Sequence, residues 1–387
     1  MIIKPANRLQ TISEYYFSKK LEEVRRMNEA GLDVINLGIG SPDMPPSPEV
    51  ITAATEALQS KKNHGYPSYR STPALRAAIA SWYQQTYQVE LNSEGEVLPL
   101  LGSKEGLFYI AMAFLNPGDQ ALVPNPGYPA YASVTTLTGA TPLTYDLSEE
   151  GNWWPDFDKL EKTDLSKVKL MYVNYPHMPT GAVGSPELFQ KLIDFGKRHR
   201  ILICHDNPYG LVLNVDPPMS ILKFDPQMEV SLELNSFSKA FNMAGWRAGM
   251  LLANSEVIET VLKVKSNVDS GMFLPLQSGA IEALKTGEAW HAERNEVYRE
   301  RRNYAEKVFA KLGCTVRPNQ VGLFLWAKAP DRIVNVEAHV DEILQKARVL
   351  LTPGFIFGTQ GSRYLRCSLC APVERLKEAL ERMEKSI

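Results

Sequence analysis

Residues 236–249 read SFSKAFNMAGWRAG, and residues 201–210, upstream of them, read ILICHDNPYG. These two stretches decide how the rest of the chain is read. The first places Lys239 beside the hydroxyls of Ser236 and Ser238, with Arg247 eight residues on. A lysine that works by forming a Schiff base needs a lowered pKa or neighbouring cations. Hydroxyls and a guanidinium are donors suited to a phosphate. A lone lysine in a polar loop is ordinarily a solvated surface residue, so the weight falls on what surrounds it. Candidate strands Ser231–Leu234 and Met250–Leu252 flank the segment.

The second stretch puts Asp206 just after the apolar run Ile201–Cys204, 33 residues before Lys239. In α/β sheets ligands sit outside the carboxyl ends of strands. A carboxylate there can keep a pyridinium nitrogen protonated, which makes such a ring an electron sink. Tyr209, three residues on, can donate to a phenolic oxygen of the same ring. Read alone, the segment is also an ordinary strand-end Asp-Asn-Pro turn.

Three further elements fit the same ligand. Leu101-Gly102-Ser103-Lys104-Glu105-Gly106 is a turn between a strand and a helix, where free backbone N–H groups bind phosphate. Tyr128, in NPGYPAY, offers a flat ring for stacking. Arg366, in YLRCSLC, offers the bidentate guanidinium that grips an α-carboxylate.

The surrounding chain alternates apolar runs with amphipathic stretches. Strands are predicted at Val97–Leu101, Ala121–Val123, Lys169–Val173 and Ile201–Cys204, besides the two already named. Helices are predicted at Ser103–Leu115, Ala130–Leu137 and Glu187–His199, the last with Ser185 as N-cap and Pro186 at its first turn. This alternation predicts an α/β layer fold with a mostly parallel sheet. Residues 1–12 read as an irregular arm, followed by a helix from near Ser13 to a stop at Gly31 and a short strand Val34–Leu37. The loop Gly38–Pro48, with two glycines and four prolines, is irregular. Beyond about residue 285 the texture changes to a long charged helix (Ala289–Leu312), strands Thr315–Arg317, Gly322–Ala327 and Tyr364–Ser368, and a final helix Val373–Lys385. The expected organisation is an N-terminal arm contributing to a small α+β domain (1–45), a large ligand-binding domain (46–285) and a C-terminal small domain (286–387).

The 387 residues carry 42 basic and 44 acidic side chains, a balance that argues against a nucleic-acid binder. Four cysteines, with Cys367 and Cys370 in a C-x-x-C spacing but no second ligand pair, fit a reducing cytosol better than a zinc site. The N-terminus has no apolar signal region, and no apolar run is long enough to span a membrane. A cytoplasmic location is expected.

Taken together, these segments resemble the fold-type I, class I/II pyridoxal-phosphate (PLP) aminotransferases nearly end to end. Matching pieces are INLGIGSPDMPP (35–46), GYPSYRSTPALRAAIA (65–80), GSKEGL (102–107), PGYPAY (126–131), NYPHMPTGAV (174–183), DNPYG (206–210), SFSKAFNMAGWRAG (236–249) and YLRCSL (364–369). GSKEGL and SNVDSGMFLPLQ (266–277) also look similar to diaminopimelate aminotransferases. The resemblance implies an amino-group transfer between an L-amino acid and a 2-oxo acid, in a ping-pong cycle through pyridoxamine phosphate. Lys239 is implied to form the aldimine with PLP and to shuttle the proton. Asp206 is implied to pair with the ring nitrogen, Tyr209 with the ring oxygen, and Tyr128 to stack on the ring. The backbone of Ser103 and Lys104, with Ser236, Ser238 and Arg247, is implied to hold the phosphate. Tyr66 is implied to reach the phosphate of a neighbouring subunit in a homodimer. Arg366 and the Gly40 backbone are implied to grip the substrate carboxylate, with Ile39 facing its side chain.

Two positions depart from the family pattern. Met178 stands where an asparagine usually donates to the cofactor; either Asn174 or His177 is expected to substitute in part, or Tyr209 to act alone. Ser71 stands at a position commonly glycine and is expected to alter only a local turn. The same residues would also serve a carbon–sulfur β-lyase or an aminocyclopropane-carboxylate synthase. A PLP-binding transcription regulator would need an N-terminal helix-turn-helix domain, for which about a dozen residues before the first helix leave no room.

Overall fold

The computed structural model describes residues 3–9 and 16–386. In chain order its strands begin with β1 (Ile35–Asn36), β2 (Val97–Leu100), β3 (Gln120–Asn125), β4 (Thr141–Asp146) and β5 (Val168–Val173). They continue with β6 (Leu202–Asp206), β7 (Ser231–Ser236), β8 (Gly249–Leu252), β9 (Thr315–Val316), β10 (Phe324–Lys328), β11 (Val349–Leu350), β12 (Thr352–Pro353) and β13 (Tyr364–Ser368). The central sheet has seven strands in the order β2-β8-β7-β6-β5-β3-β4. Only β8 runs against its neighbours; the contacts β7-β6, β6-β5, β5-β3 and β3-β4 are parallel. This is the mostly parallel sheet the alternation predicted. Its middle strands read as near-continuous apolar runs because helices cover both faces.

The direction of these strands matters most for function. Because β2, β3, β5, β6 and β7 point the same way, their carboxyl ends open on one edge. The loops that leave them carry Gly102-Ser103, Tyr128, Asn174, Asp206 and Ser236. Five segments scattered over more than 130 residues of sequence therefore converge, as the strand-end rule requires.

A second sheet, β12-β13-β10-β9, is antiparallel. The N-terminal part of the chain is bonded to this region. β1 pairs in parallel with β11, and the Leu37 carbonyl accepts from the Ser368 N–H at 2.7 Å. The helix Tyr16–Glu29 packs Val24 and Met27 against Val34, Leu344 and Leu350.

Some elements differ from the sequence reading. The expected helix start near Ser13 and part of the expected N-terminal arm lie outside the described residues; the described helix begins at Tyr16 and ends at Glu29, with Gly31 in the left-handed region (φ +80°) just beyond. Strand β4 was not anticipated. It is an edge strand, partly exposed on both faces and containing Pro142, so it carries neither an apolar run nor a clean alternation. Helices Pro48–Gln59, Pro73–Tyr87, Ser255–Lys265 and Leu274–Ala283 add to those expected. β10 starts at Phe324 rather than Gly322, whose φ of +84° belongs to the preceding turn.

Candidate active site

The strand-end edge of the central sheet and the Arg366 strand of the second sheet face a shared cavity of about 590 Å³. Of the residues singled out from the sequence, Ile39, Gly40, Ser103, Lys104, Tyr128, Asn174, Asp206, Tyr209, Ser236, Ser238, Lys239, Arg247 and Arg366 all line it. Tyr66 does not; it is 92% exposed.

Lys239 sits in a short helix, Phe237–Ala240, that starts where β7 ends. Ser236 caps that helix, its hydroxyl accepting from the Ser238 N–H at 3.2 Å. The cap fixes the direction of the lysine stem. The Lys239 ammonium donates to the Gly40 carbonyl. Burial lowers its pKa from the usual lysine range, and the positive charges of Arg366 and Arg247 add to the effect. A buried amine beside two guanidiniums is poised to act as a nucleophile and base.

Asp206 ends β6 and is 6% exposed. Its Oδ2 accepts from the Tyr131 hydroxyl at 3.0 Å, while Oδ1 has no hydrogen-bond partner among the described residues. Burial pushes the carboxyl up to about 6, against the opposing hydrogen bond from Tyr131. An unsatisfied buried carboxylate oxygen is costly, and a protonated ring nitrogen is the kind of donor that would relieve it. Tyr131 stacks on Tyr172 at 4.9 Å and meets Tyr128 edge-on at 5.6 Å, which holds its hydroxyl in place. Behind Asp206, His205 bonds Glu233 at 2.8 Å, and Glu233 also accepts from Tyr83 (2.7 Å), Ser220 (2.8 Å) and the Ile221 N–H (3.1 Å). This fully buried network ties β6 and β7 to the helix Pro73–Tyr87.

The phosphate end is a tight cradle. Gly102 has φ +92°, and a Cβ there would lie 2.3 Å from the Arg247 guanidinium. Only glycine lets the arginine approach the N-terminus of the helix Ser103–Phe114. Ser103, Lys104, Ser236, Ser238 and Arg247 thus surround one corner of the cavity, a donor set fitted to a phosphate. The orphaned Asp206 oxygen at the ring end and this cradle together fit the shape and chemistry of PLP.

At the other end, Arg366 is 4% exposed. Its guanidinium donates to the Gly38 carbonyl at 2.8 Å and contacts the Met178 sulfur at 3.3 Å. Its Cζ lies 3.8 Å from the centre of the Phe324 ring and 4.6 Å from that of Phe357. The tip of the Phe324 ring in turn abuts Gly40, where a Cβ would come within 2.0 Å of its Cζ. The carbonyls of Gly38 and Gly40 therefore tie the Arg366 guanidinium and the Lys239 amine to one three-residue segment.

Asn174 lines the cavity, but its amide is engaged with protein: it donates to the Asp206 carbonyl at 2.5 Å and accepts from the Met178 N–H at 2.7 Å. His177, expected as an alternative donor, does not line the cavity; its Nδ1 pairs with Thr180 at 2.8 Å, and burial holds its pKa down at about 3. Tyr209, three residues beyond the end of β6, lines the cavity with Asp206. Ser71 is fully buried with φ +62°, and its hydroxyl has no partner among the described residues. The sequence reading gave no role to Tyr131, Met178 as an Arg366 contact, Phe324, Phe357 or Glu233. Tyr131 stood inside the quoted PGYPAY segment, so its position was available; the others had no sequence signal beyond hydrophobicity or charge.

A lysine, a buried carboxylate, a phosphate cradle and an arginine grip around one cavity define a cofactor-assisted enzyme of amino-acid chemistry. The chain belongs to the aminotransferase class I and II family, whose sequence profile matches residues 32–383. It is a transaminase, moving an amino group between an amino acid and a 2-oxo acid, on the fold-type I architecture expected from the sequence. It is 38% identical over 380 residues, 98% of each chain, to the LL-diaminopimelate aminotransferase of Aquifex aeolicus. Among solved structures it resembles substrate-bound BacF from Bacillus subtilis (37% identity, TM-score 0.94, covering 100% of this chain and 98% of that one). An aminotransferase from Staphylococcus aureus is also similar (31% identity, TM-score 0.89, 98% of each chain).

Proposed function

We propose that this transaminase uses pyridoxal phosphate, with Lys239 as its point of attachment and its base. The observation that carries the reading is a buried amine and a buried, half-satisfied carboxylate lining one cavity that ends in a phosphate-sized cradle. When bound, the cofactor supplies an electron sink for the pair released at the substrate Cα. The Asp206 Oδ1 accepts from its ring nitrogen and keeps that nitrogen protonated. Tyr209 donates to the ring oxygen, and Tyr128 packs on the ring face. Ser103, Lys104, Ser236, Ser238 and Arg247 hold the phosphate. Arg366 takes the substrate carboxylate, which leaves the Cα–H within reach of the Lys239 amine. Released when the substrate amine takes its place on the cofactor, the Lys239 amine would remove the Cα proton and hold it for return. Met178 leaves the ring oxygen one donor short of the usual pair.

Tyr66, exposed in the single chain, serves the phosphate of a second subunit, so the working enzyme is a homodimer. A cytoplasmic location and a division near residues 45 and 285 complete the proposal; the pairing of β1 with β11 supports assigning the N-terminal segment to the smaller unit. The decisive experiment is Lys239→Ala. The variant is expected to lose the visible absorbance of the bound cofactor and all turnover. Turnover near that of the wild type would refute the assignment.

A further inference from the structure

We propose that the amino acid taken by this site carries an uncharged, apolar side chain, packed against Leu21, Ile39, Met178, Phe324 and Phe357. This rests on the reading of the cavity given above and specifies its substrate class. An α-amino acid has three heavy-atom substituents at Cα. Arg366 fixes the carboxylate, and the nitrogen takes the place that Lys239 holds on the cofactor, leaving the Lys239 amine beside Cα. Arg366 and Lys239 are both tied to the segment Gly38–Gly40, so the position left for the side chain is set by that segment and its surroundings.

Those surroundings are apolar. Ile39 lies between the two anchoring carbonyls and faces the cavity. Phe324 and Phe357 flank the guanidinium with their rings at 3.8 and 4.6 Å. Met178 presents a thioether, a polarizable group that adapts to apolar and aromatic surfaces. Leu21, on the helix Tyr16–Glu29, closes the same space. The charged side chains that line the cavity, among the described residues, are Lys104, Asp206, Lys239, Arg247 and Arg366. Asp206, Arg247, Lys239 and Arg366 have places at the ring nitrogen, the phosphate, the amine and the α-carboxylate, and Lys104 sits in the first turn of the helix Ser103–Phe114, at the phosphate end. A second carboxylate or ammonium on the substrate would be desolvated against hydrocarbon and thioether, which is unfavourable. LL-diaminopimelate, named for several relatives, carries both groups at its far end. The chain shares that family's framework while its side-chain wall suits phenylalanine, leucine or methionine.

The test uses the holoenzyme. Conversion of the cofactor's absorbance is followed in single half-reactions with L-phenylalanine, L-leucine, L-methionine, L-aspartate, L-glutamate and LL-diaminopimelate. The best apolar substrate is expected to have a specificity constant at least about 10-fold above each of the charged ones, since even single methylenes in such pockets are worth this much. Equilibrium binding of two non-reacting carboxylates, 3-phenylpropanoate and succinate, gives a readout independent of turnover; the aryl compound is expected to bind at least about 10-fold tighter. Ile39→Lys, with cofactor absorbance retained as the check on folding, is expected to narrow or invert both ratios. Equal or better use of a charged substrate by the wild type, or equal or tighter binding of succinate, overturns the proposal and leaves the transaminase reading standing. If none of the six amino acids converts, the assignment of the cavity as the active site falls, and the proposal falls with it.

Discussion

The two ends of the cavity are built in different ways. The cofactor end is assembled from strand ends of one sheet, and each of its polar residues sits in a short motif: Gly102-Ser103-Lys104, Asp206 with Tyr209, and Ser236 to Arg247. The substrate end is assembled from a loop, two strands of the other sheet and two aromatic rings, joined by carbonyl, thioether and ring contacts to a single arginine. One end is polar and locally encoded. The other is mostly apolar and exists only through packing. On the proposed assignment the chemistry of the reaction and the choice of substrate are held by separate structural units, so substitutions at the two ends are expected to have separable signatures.

The largest effect is expected at the cofactor end. On the proposed assignment, Asp206→Asn removes the negative charge that would keep the ring nitrogen protonated, and kcat is expected to fall by about 10²–10³-fold, the scale of losing one preorganised electrostatic group. The same change makes a stability prediction. The folded-state pKa is raised from 3.8 to about 6, so the native protein binds more protons than the unfolded chain in that window. Stability without cofactor therefore declines as pH rises from about 4 to 6. At roughly 1.4 kcal/mol per pKa unit the penalty is about 3 kcal/mol above pH 6. Cofactor-free Asp206→Asn is expected to be more stable than wild type at pH 8, measured by urea denaturation, and to lose that advantage below pH 4. An inactive variant with no such gain would mean that Asp206 is already satisfied before the cofactor arrives.

At the substrate end, Arg366→Lys keeps the charge but loses the planar fork between two rings. It is expected to raise KM for the amino acid about 10- to 100-fold, the cost of one charged hydrogen bond, while the cofactor absorbance stays unchanged. A change in that absorbance would show that the two ends are not separable. Tyr131→Phe sharpens the comparison from the cofactor side. The phenol lowers the Asp206 pKa by donating to it, so its removal raises that pKa. The acid limb of kcat/KM is expected to move to higher pH by up to about one unit, with little change at pH 8. A shift to lower pH would contradict the role given to the hydroxyl.

The smallest effect lies away from both ends. Ser71 holds a left-handed backbone and a buried hydroxyl without a partner among the described residues. Ser71→Gly is expected to stabilise the protein by about 1–2 kcal/mol, because strain and an unsatisfied group are both removed, and to leave kcat/KM unchanged. Denaturant titration checks the first part and steady-state kinetics the second.

The sequence by itself determined the class of fold and most of the cofactor end. Alternating apolar runs and amphipathic stretches require a layered sheet, and residues at strand ends fall on one edge whenever the strands are parallel. Lys239, Asp206, Ser103 and Arg247 are therefore legible as a group in the sequence alone. Edge strand β4 was not, because a half-exposed strand with a proline has neither of the patterns that reveal strands. Tertiary structure alone decided that Tyr131 bonds Asp206, that Asn174 is engaged by the protein, that His177 turns away, and that Met178, Phe324 and Phe357 surround Arg366. The physical reason is range. Periodicity and turn chemistry act within a few residues and leave a trace in the sequence. Packing around a buried guanidinium joins residues far apart along the chain, and a phenylalanine that does this looks in sequence like any other core residue.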